Sequence, residues 1–97
     1  MGFRIVVSPA VMREMAEAYE WYRARNAMAA SNSRAEVSAA FELIASDPKR
    51  WAVWSDAIRR HVLRQYPYAV YFTLVGEEVG VLAVGHQRRQ AGYWRQR

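Results

Sequence analysis

The chain has 97 residues, of which 53% are hydrophobic and 13% aromatic, and it contains no cysteine. This length fits one domain over residues 1–97, and this apolar fraction excludes intrinsic disorder. The lack of cysteine excludes disulfide scaffolds, thiol catalysis and cysteine-ligated zinc. No apolar run reaches the roughly 18 residues of a membrane span, and the start of the chain lacks the layout of a signal peptide. We therefore expect a cytoplasmic protein with no membrane contact.

The net charge of +5 comes from the C-terminal part of the chain. Residues 1–58 carry seven basic and seven acidic side chains, whereas residues 59–97 carry seven arginines and two glutamates. Arginine binds phosphate and carboxylate groups in bidentate fashion and stacks on flat rings. Such an asymmetric field predicts an anionic partner, either nucleic acid or an acidic protein segment. A merely solubilising surface is the alternative interpretation.

The N-terminal residues predict one strand followed by a helix. Residues 3–7 are a short β-branched strand, and Ser8 then reads as an N-cap before Pro9 at the first helical position. The apolar spacing predicts a helix that runs to about Met28. Its apolar stripe consists of Met12, Met15, Tyr19 and Tyr22, and its other side mainly carries Glu14, Glu17 and Glu20.

A second helix follows a breaker cluster at residues 29–33. The predicted caps for this helix are Ser31, Asn32 and Ser33. Its apolar positions are Val37, Ala40, Phe41 and Ile44. Asp47-Pro48 ends it, because the residue before proline disfavours helical geometry. The two helices should form an antiparallel hairpin, with Phe41 packed against a sheet.

The remaining residues predict three strands and a tail. Residues 49–58 show no clear period. Alternating or continuous apolar runs then predict strands at 60–65, 68–75 and 79–84. The fold class is α+β: an N-terminal strand, a two-helix antiparallel hairpin and a three-stranded antiparallel meander, with the helices on one sheet face. Residues 86–97 form a basic, aromatic C-terminal tail.

Candidate chemistry is sparse. The two histidines, His61 and His86, have no carboxylate at metal-ligand spacing, and neither a nucleophile elbow nor a glycine-rich phosphate loop is present. We therefore expect no metal and no cofactor. A metal-independent ribonuclease remains chemically possible, because it needs proton transfer and cations around the phosphate. Proton transfer could come from His61, His86 and Tyr93, and positive charge from Arg64, Arg88 and Arg89. Ordinary packing of His61 is the alternative.

The tail combines flat rings with positive charge. Its candidate binding residues are Arg88, Arg89, Tyr93, Trp94 and Arg95. This composition is enriched at protein–protein hot spots and at nucleic-acid platforms. Alternatively, Tyr93 and Trp94 fold back and cover a sheet edge.

Nearly the whole chain resembles the RelE/ParE superfamily of bacterial toxins from type II toxin–antitoxin systems. Three of the matching segments are Ser8-Pro9-Ala10 opening a helix, EAYEWY at 17–22 and RQYPYAVYF at 64–72. The most specific segment is VLAVGHQRRQAGYW at 81–94, with its strand-ending histidine, paired arginines and Gly-Tyr-Trp. The resemblance implies the RelE/ParE toxin fold and a cognate antitoxin that wraps the toxin, with a hetero-oligomer as the expected complex.

The superfamily has two branches with different targets. Members of the RelE-like branch are endoribonucleases that cut mRNA on the ribosome, and they use arginines, lysines and a C-terminal tyrosine. Tyr68 and Gln87 stand where that branch places arginines, and His61 and Leu63 stand on the strand where it has lysines. Tyr93 is retained. The chain is more similar to the ParE-like, plasmid-stabilisation branch, whose members poison DNA gyrase by binding and have no catalytic residue set.

The resemblance therefore favours a binding inhibitor of gyrase over an enzyme. The predicted target-binding residues are Arg88, Arg89, Tyr93, Trp94 and Arg95. Arg59, Arg60 and Arg64 are predicted to form a basic surface that contacts the antitoxin. In the alternative, a RelE-type nuclease acting on ribosome-bound mRNA, the catalytic residues would be His86, Arg64, Arg88 and Tyr93.

Overall fold

The computed structural model describes residues 2–86, and for His86 it describes the backbone alone. Two helices, a short 3-10 turn and five strands follow one another in the described part. The elements are β1 Arg4–Val7, α1 Pro9–Arg25, α2 Ala27–Ser46, the 3-10 turn Pro48–Arg50, β2 Val53–Ser55, β3 Ile58–Val62, β4 Tyr68–Val75 and β5 Glu78–His86. The predicted α+β class and its order of strand, helical hairpin and antiparallel strands are confirmed.

All five strands lie in one sheet, in the order β1-β5-β4-β3-β2. The strands β2 to β5 pair in antiparallel fashion, whereas β1 runs parallel to β5. The parallel pair is possible because the helical hairpin lies in the long connection that follows β1. In β5, Val81 pairs with Phe72 and Ala83 pairs with Tyr71, so Leu82 is an extra residue and forms a bulge.

The boundary between the helices differs from the sequence prediction. A single residue, Asn26, separates α1 from α2, and the proposed caps at 31–33 lie inside α2. Asn26 has an extended backbone, and its Oδ1 accepts hydrogen bonds from the amides of Met28 at 3.0 Å and Ala29 at 3.1 Å. Buried Ser33 donates its hydroxyl to the carbonyl of Ala30, which satisfies its polar group inside the helix.

The start of α1 agrees with the prediction. The Ser8 Oγ accepts from the Val11 amide at 3.3 Å, and Pro9 occupies the first turn. The second helix ends at Ser46, before Asp47 and Pro48, as predicted.

The strand region also corrects the prediction. Residues 53–55, which show no period in the sequence, form β2, and β3 begins at Ile58 rather than residue 60. A two-residue turn, Asp56 and Ala57, joins these strands with φ of 47° and 63°. Both central residues of a type I′ hairpin turn need positive φ, which is usually supplied by Asn-Gly or Asp-Gly.

Apolar side chains cluster on both faces of the sheet. The larger cluster lies between the sheet and the helices, and Val11, Ile44 and Phe72 are fully buried in it. Phe41 is half-buried and packs against this cluster, as predicted. A second cluster consists of Ile58, Ala69, Tyr71 and Ala83, with Trp54 and Leu82 packed against it. Neither helix of the described part is long and apolar enough to cross a membrane.

Candidate functional site

An apolar groove, here called the hairpin groove, lies between the two helices and the sheet. Its volume is about 320 Å³. Its main apolar wall consists of Met12, Met15 and Tyr19 from the stripe on α1, together with Val37 on α2 and Val84 on β5. Met12 is 61% exposed at this groove, although it lies on the apolar stripe. The helical hairpin therefore leaves part of its apolar surface open.

Charged groups border the hairpin groove. The Arg34 guanidinium lies over the Tyr19 ring, 5.2 Å from its centroid. Glu20 also lines the groove and accepts three hydrogen bonds from Arg23, which are the main reason that its pKa is lowered below the ordinary value. A ligand in this groove would meet an apolar floor with a cation on an aromatic ring at its rim.

Four aromatic residues pack together where α1 ends, beside the loop between β3 and β4. The Trp21 ring meets the Tyr22 ring edge-on at 5.1 Å, and Tyr22 meets Tyr66 at 5.7 Å and Tyr68 at 6.2 Å. This aromatic cluster is defined by Trp21, Tyr22, Tyr66 and Tyr68. Burial, followed by the neighbouring Tyr22 and its hydrogen bond, raises the pKa of Tyr68 to about 12. Tyr68 is thus a neutral phenol at physiological pH.

Glu14 connects α1 to the last strand. Its Oε1 accepts a hydrogen bond of 3.0 Å from the amide of Val84, which is 5% exposed. β1 pairs with β5 only as far as Val81, so the helix carboxylate occupies the position where a strand neighbour would otherwise accept. The sequence prediction that Glu14 points mainly away from the apolar side is wrong, because this residue lies on the flank of the stripe and is half-buried.

A second groove, of about 740 Å³, lies between α2 and β3 and contains two predicted nuclease candidates. His61 lines it and packs against the Trp51 ring at 4.8 Å. Burial lowers the pKa of His61, with the nearby charge of Arg50 acting in the same direction and Glu36 opposing both. Arg64 lines the same groove, and Glu36 accepts a hydrogen bond from the backbone of Gln65 at 3.0 Å. The alternative interpretation of His61 as a packed residue agrees with this arrangement.

The three arginines of the predicted basic surface do not point the same way. Arg59 is half-buried, and its guanidinium donates to the carbonyl of Trp51. Arg60 projects from the opposite face of β3, where it lies 5.6 Å from the Trp54 ring centroid. Arg64 is exposed at the groove beside α2. A role in antitoxin contact stays a prediction for each of them.

The predicted tail lies mostly outside the described residues. β5 ends at His86, which pairs with Tyr68 of the aromatic cluster. The side chain of His86 and five predicted site residues are not described; the five are Arg88, Arg89, Tyr93, Trp94 and Arg95. Within residues 2–86, no three His, Asp or Glu side chains cluster in a way that could hold a metal ion.

Sequence reasoning overlooked Glu14, Trp21 and Arg25. The Arg25 guanidinium stacks on the exposed Trp21 ring, 3.8 Å from its centroid. The spacing of four residues between them is a signal that could have found this pair. No local signal marks Glu14, because its partner is 70 residues away.

Comparison with known proteins places this geometry in a family. The search of curated proteins found no match. Among solved structures, the fold is similar to a protein described as "Chromosomal ParDE TA system from P. aeruginosa", with a TM-score of 0.76 and 12% sequence identity. That alignment covers 87% of this chain and 95% of the other. The family model described as "ParE toxin of type II toxin-antitoxin system, parDE" matches residues 5–91. The chain therefore belongs to the ParE toxin family of type II toxin–antitoxin systems.

Proposed function

We propose that this ParE toxin stops growth by binding and poisoning DNA gyrase, and that a cognate antitoxin neutralises it in a hetero-oligomeric complex. The observation that supports gyrase over the ribosome as the target is the neutral, packed side chain of Tyr68. This residue stands where the RelE-like nuclease branch has an arginine. Here its phenol is half-buried against Tyr22 with a pKa of about 12. It supplies aromatic packing and no positive charge for a phosphorane-like transition state.

His61 supports the same conclusion. It occupies the strand on which the nuclease branch has lysines, and it packs against the Trp51 ring with a lowered pKa. A neutral imidazole in this position cannot replace a lysine as a permanent cation. The target-binding role is assigned to the tail residues Arg88, Arg89, Tyr93, Trp94 and Arg95, whose residue types dominate protein–protein hot spots.

The hairpin groove is the proposed antitoxin site. Its exposed methionine and its half-buried tyrosine and valine offer pockets for apolar side chains of a wrapping segment. Methionine-rich surfaces adapt to such anchors. Arg34 at the rim, together with Arg60 on β3 and Arg64 in the loop that follows it, supplies positive charge that attracts an acidic antitoxin.

The test compares two activities of the purified toxin. We expect it to inhibit supercoiling of relaxed plasmid by purified gyrase and to trap cleaved plasmid in that reaction. We also expect ribosome-bound mRNA to remain intact in its presence. Arg88→Ala/Arg89→Ala and a chain stopped after Gly85 should fold, bind antitoxin and leave gyrase active, whereas Arg13→Ala, on exposed helix surface, should inhibit like the wild type. Cleavage of ribosome-bound mRNA that disappears in His86→Ala would instead establish the nuclease.

A further inference from the structure

Trp21 and Arg25 form a braced, exposed pair near the end of α1. Trp21 is 53% exposed. The Arg25 guanidinium lies 3.8 Å from its ring centroid, and the same side chain donates to the Trp21 carbonyl at 2.9 Å. The edge contact of 5.1 Å with Tyr22 supports the ring from a second direction. An aromatic ring held in this way loses little side-chain entropy when a partner covers it.

The pair lies on the opposite flank of α1 from the hairpin groove. Trp21 is two residues from Tyr19, a rotation of about 200° around the helix. Neither Trp21 nor Arg25 lines that groove. A segment seated against Met12 and Tyr19 would therefore leave Trp21 and Arg25 uncovered. We therefore expect a partner other than the antitoxin to cover Trp21 and Arg25.

The charge of the pair indicates the chemistry of the occupant. Both ion pairs among the described residues lie elsewhere, between Arg4 and Glu78 and between Arg23 and Glu20. Arg25 therefore has a guanidinium that a carboxylate of a partner can approach. Tryptophan, tyrosine and arginine are the residue types most enriched in protein–protein hot spots.

The ring geometry argues against a nucleic acid as the occupant. A base stacks on an open aromatic face, and Arg25 covers one face of the Trp21 ring, which leaves at most one face for stacking. Within the aromatic cluster, Tyr22 meets its three neighbours at interplanar angles of 67° to 87°. The cluster thus presents a fixed, uneven surface rather than parallel faces on which successive bases could stack.

We infer that Trp21 and Arg25 bind the toxin's protein target, through a target segment in which an apolar side chain is flanked by carboxylates. This inference rests on the proposed function, in which the toxin acts by binding a protein. The pair lies beside the end of the sheet, because Trp21 contacts Tyr22, the Tyr22 ring meets Tyr68, and Tyr68 pairs with His86 at the end of β5.

The experiment uses the full-length toxin and four single variants. Trp21→Ala, Arg25→Glu and Arg25→Lys test the pair, and Met12→Ala is the matched control on the other flank of the same helix. Growth after induction without antitoxin, affinity for purified gyrase and affinity for the antitoxin are measured for each. Trp21→Ala and Arg25→Glu should bind gyrase about 30-fold more weakly or worse and permit growth, with antitoxin affinity within about twofold of wild type. Arg25→Lys should fall in between, since lysine keeps the charge without the planar stack. Met12→Ala should weaken antitoxin binding alone.

The outcomes separate this inference from the gyrase proposal. If wild-type toxin fails to bind gyrase while Trp21→Ala and Arg25→Glu permit growth, gyrase is the wrong target and the surface assignment stands. If gyrase binds wild type and both variants equally, or if both variants stay toxic, the surface assignment is overturned. It is also overturned if the variants lose antitoxin affinity, or if they lose affinity for a single-stranded oligonucleotide that wild type binds. Arg25→Glu, on an exposed position, keeps the test decisive if Trp21→Ala does not fold.

Discussion

The hydrogen bond from Val84 to Glu14 predicts a measurable loss of stability when the carboxylate is removed. Glu14→Ala leaves a buried amide without the acceptor at 3.0 Å. A hydrogen bond to a charged group contributes about 1.5–3 kcal/mol, and an unsatisfied buried donor costs about as much. We therefore expect Glu14→Ala to lower the free energy of unfolding by about 2 kcal/mol. For a domain of this size, that is a fall of about 8–16 °C in Tm.

Two further variants locate the origin of this loss. Glu14→Gln retains an oxygen acceptor without the charge, so we expect about half the effect, or about 1 kcal/mol. Glu17→Ala removes an exposed carboxylate from the same helix and should stay within about 0.5 kcal/mol of the wild type. The pair Glu14→Ala and Glu17→Ala thus separates the hydrogen bond from general effects of charge and helix propensity.

Thermal unfolding followed by circular dichroism and amide hydrogen exchange followed by NMR make the test. In the wild type, the Val84 amide should exchange slowly. In Glu14→Ala it should exchange much faster, while the Phe72 amide in β4 remains protected. An unchanged exchange rate at Val84, or equal Tm values for Glu14→Ala and Glu17→Ala, would show that the carboxylate does not hold this strand.

Four other predictions follow from the same structure. Phe41→Ala should lower the free energy of unfolding by about 2–3 kcal/mol, less than the 3–5 kcal/mol of a fully buried ring, because Phe41 is half-buried; an unchanged Tm would contradict its packing. Ala57→Gly should raise Tm by about 2–8 °C, since it relieves a φ of 63° at a net gain of about 0.5–1 kcal/mol; a lower Tm would contradict the strained turn. Folding lowers the pKa of His61, so the unfolded protein binds a proton at this residue more readily than the folded protein does. Acidification from pH 7.5 to 5.5 should therefore destabilise the wild type more than His61→Gln. Equal pH dependence of the two proteins would refute this. Raising the salt concentration should slow antitoxin association modestly and leave dissociation nearly unchanged; complete dissociation at high salt would rule out apolar anchoring in the hairpin groove.

Local signals account for the parts of the fold that the sequence predicted well. Ser8 and Pro9 mark the start of α1 because capping acts within one turn. The long apolar run of β4 reflects burial on both faces of a central strand: Val70 and Phe72 face the helices, whereas Ala69 and Tyr71 belong to the other cluster. Periodicity and turn residues are sufficient for such elements.

The missed features depend on long-range contacts or on unusual turn residues. The boundary at Asn26 was hidden because the alanine-rich start of α2 continues the helical pattern of α1, and because Ser33 bonds back to Ala30 instead of capping. β2 has three residues, and its turn has Ala57 where a glycine would have signalled a hairpin. The parallel pairing of β1 with β5 joins residues more than 70 positions apart, which no local pattern encodes.

The candidate site also depends on a long-range contact that the sequence does not reveal. This contact is made by the side of α1 that carries Glu14 and Trp21. Glu14 and Trp21 are seven residues apart, so they lie on nearly the same side of the helix. At Glu14 this side is bonded to Val84 in β5, and two turns later the same side is open and carries the exposed Trp21 with Arg25 stacked on it. Val84 lies two residues before the end of β5 at His86, so the Glu14 bond holds this end of the strand against the helix that carries Trp21. The carboxylate that stabilises the strand therefore also sets the position of the proposed target-binding pair relative to the sheet.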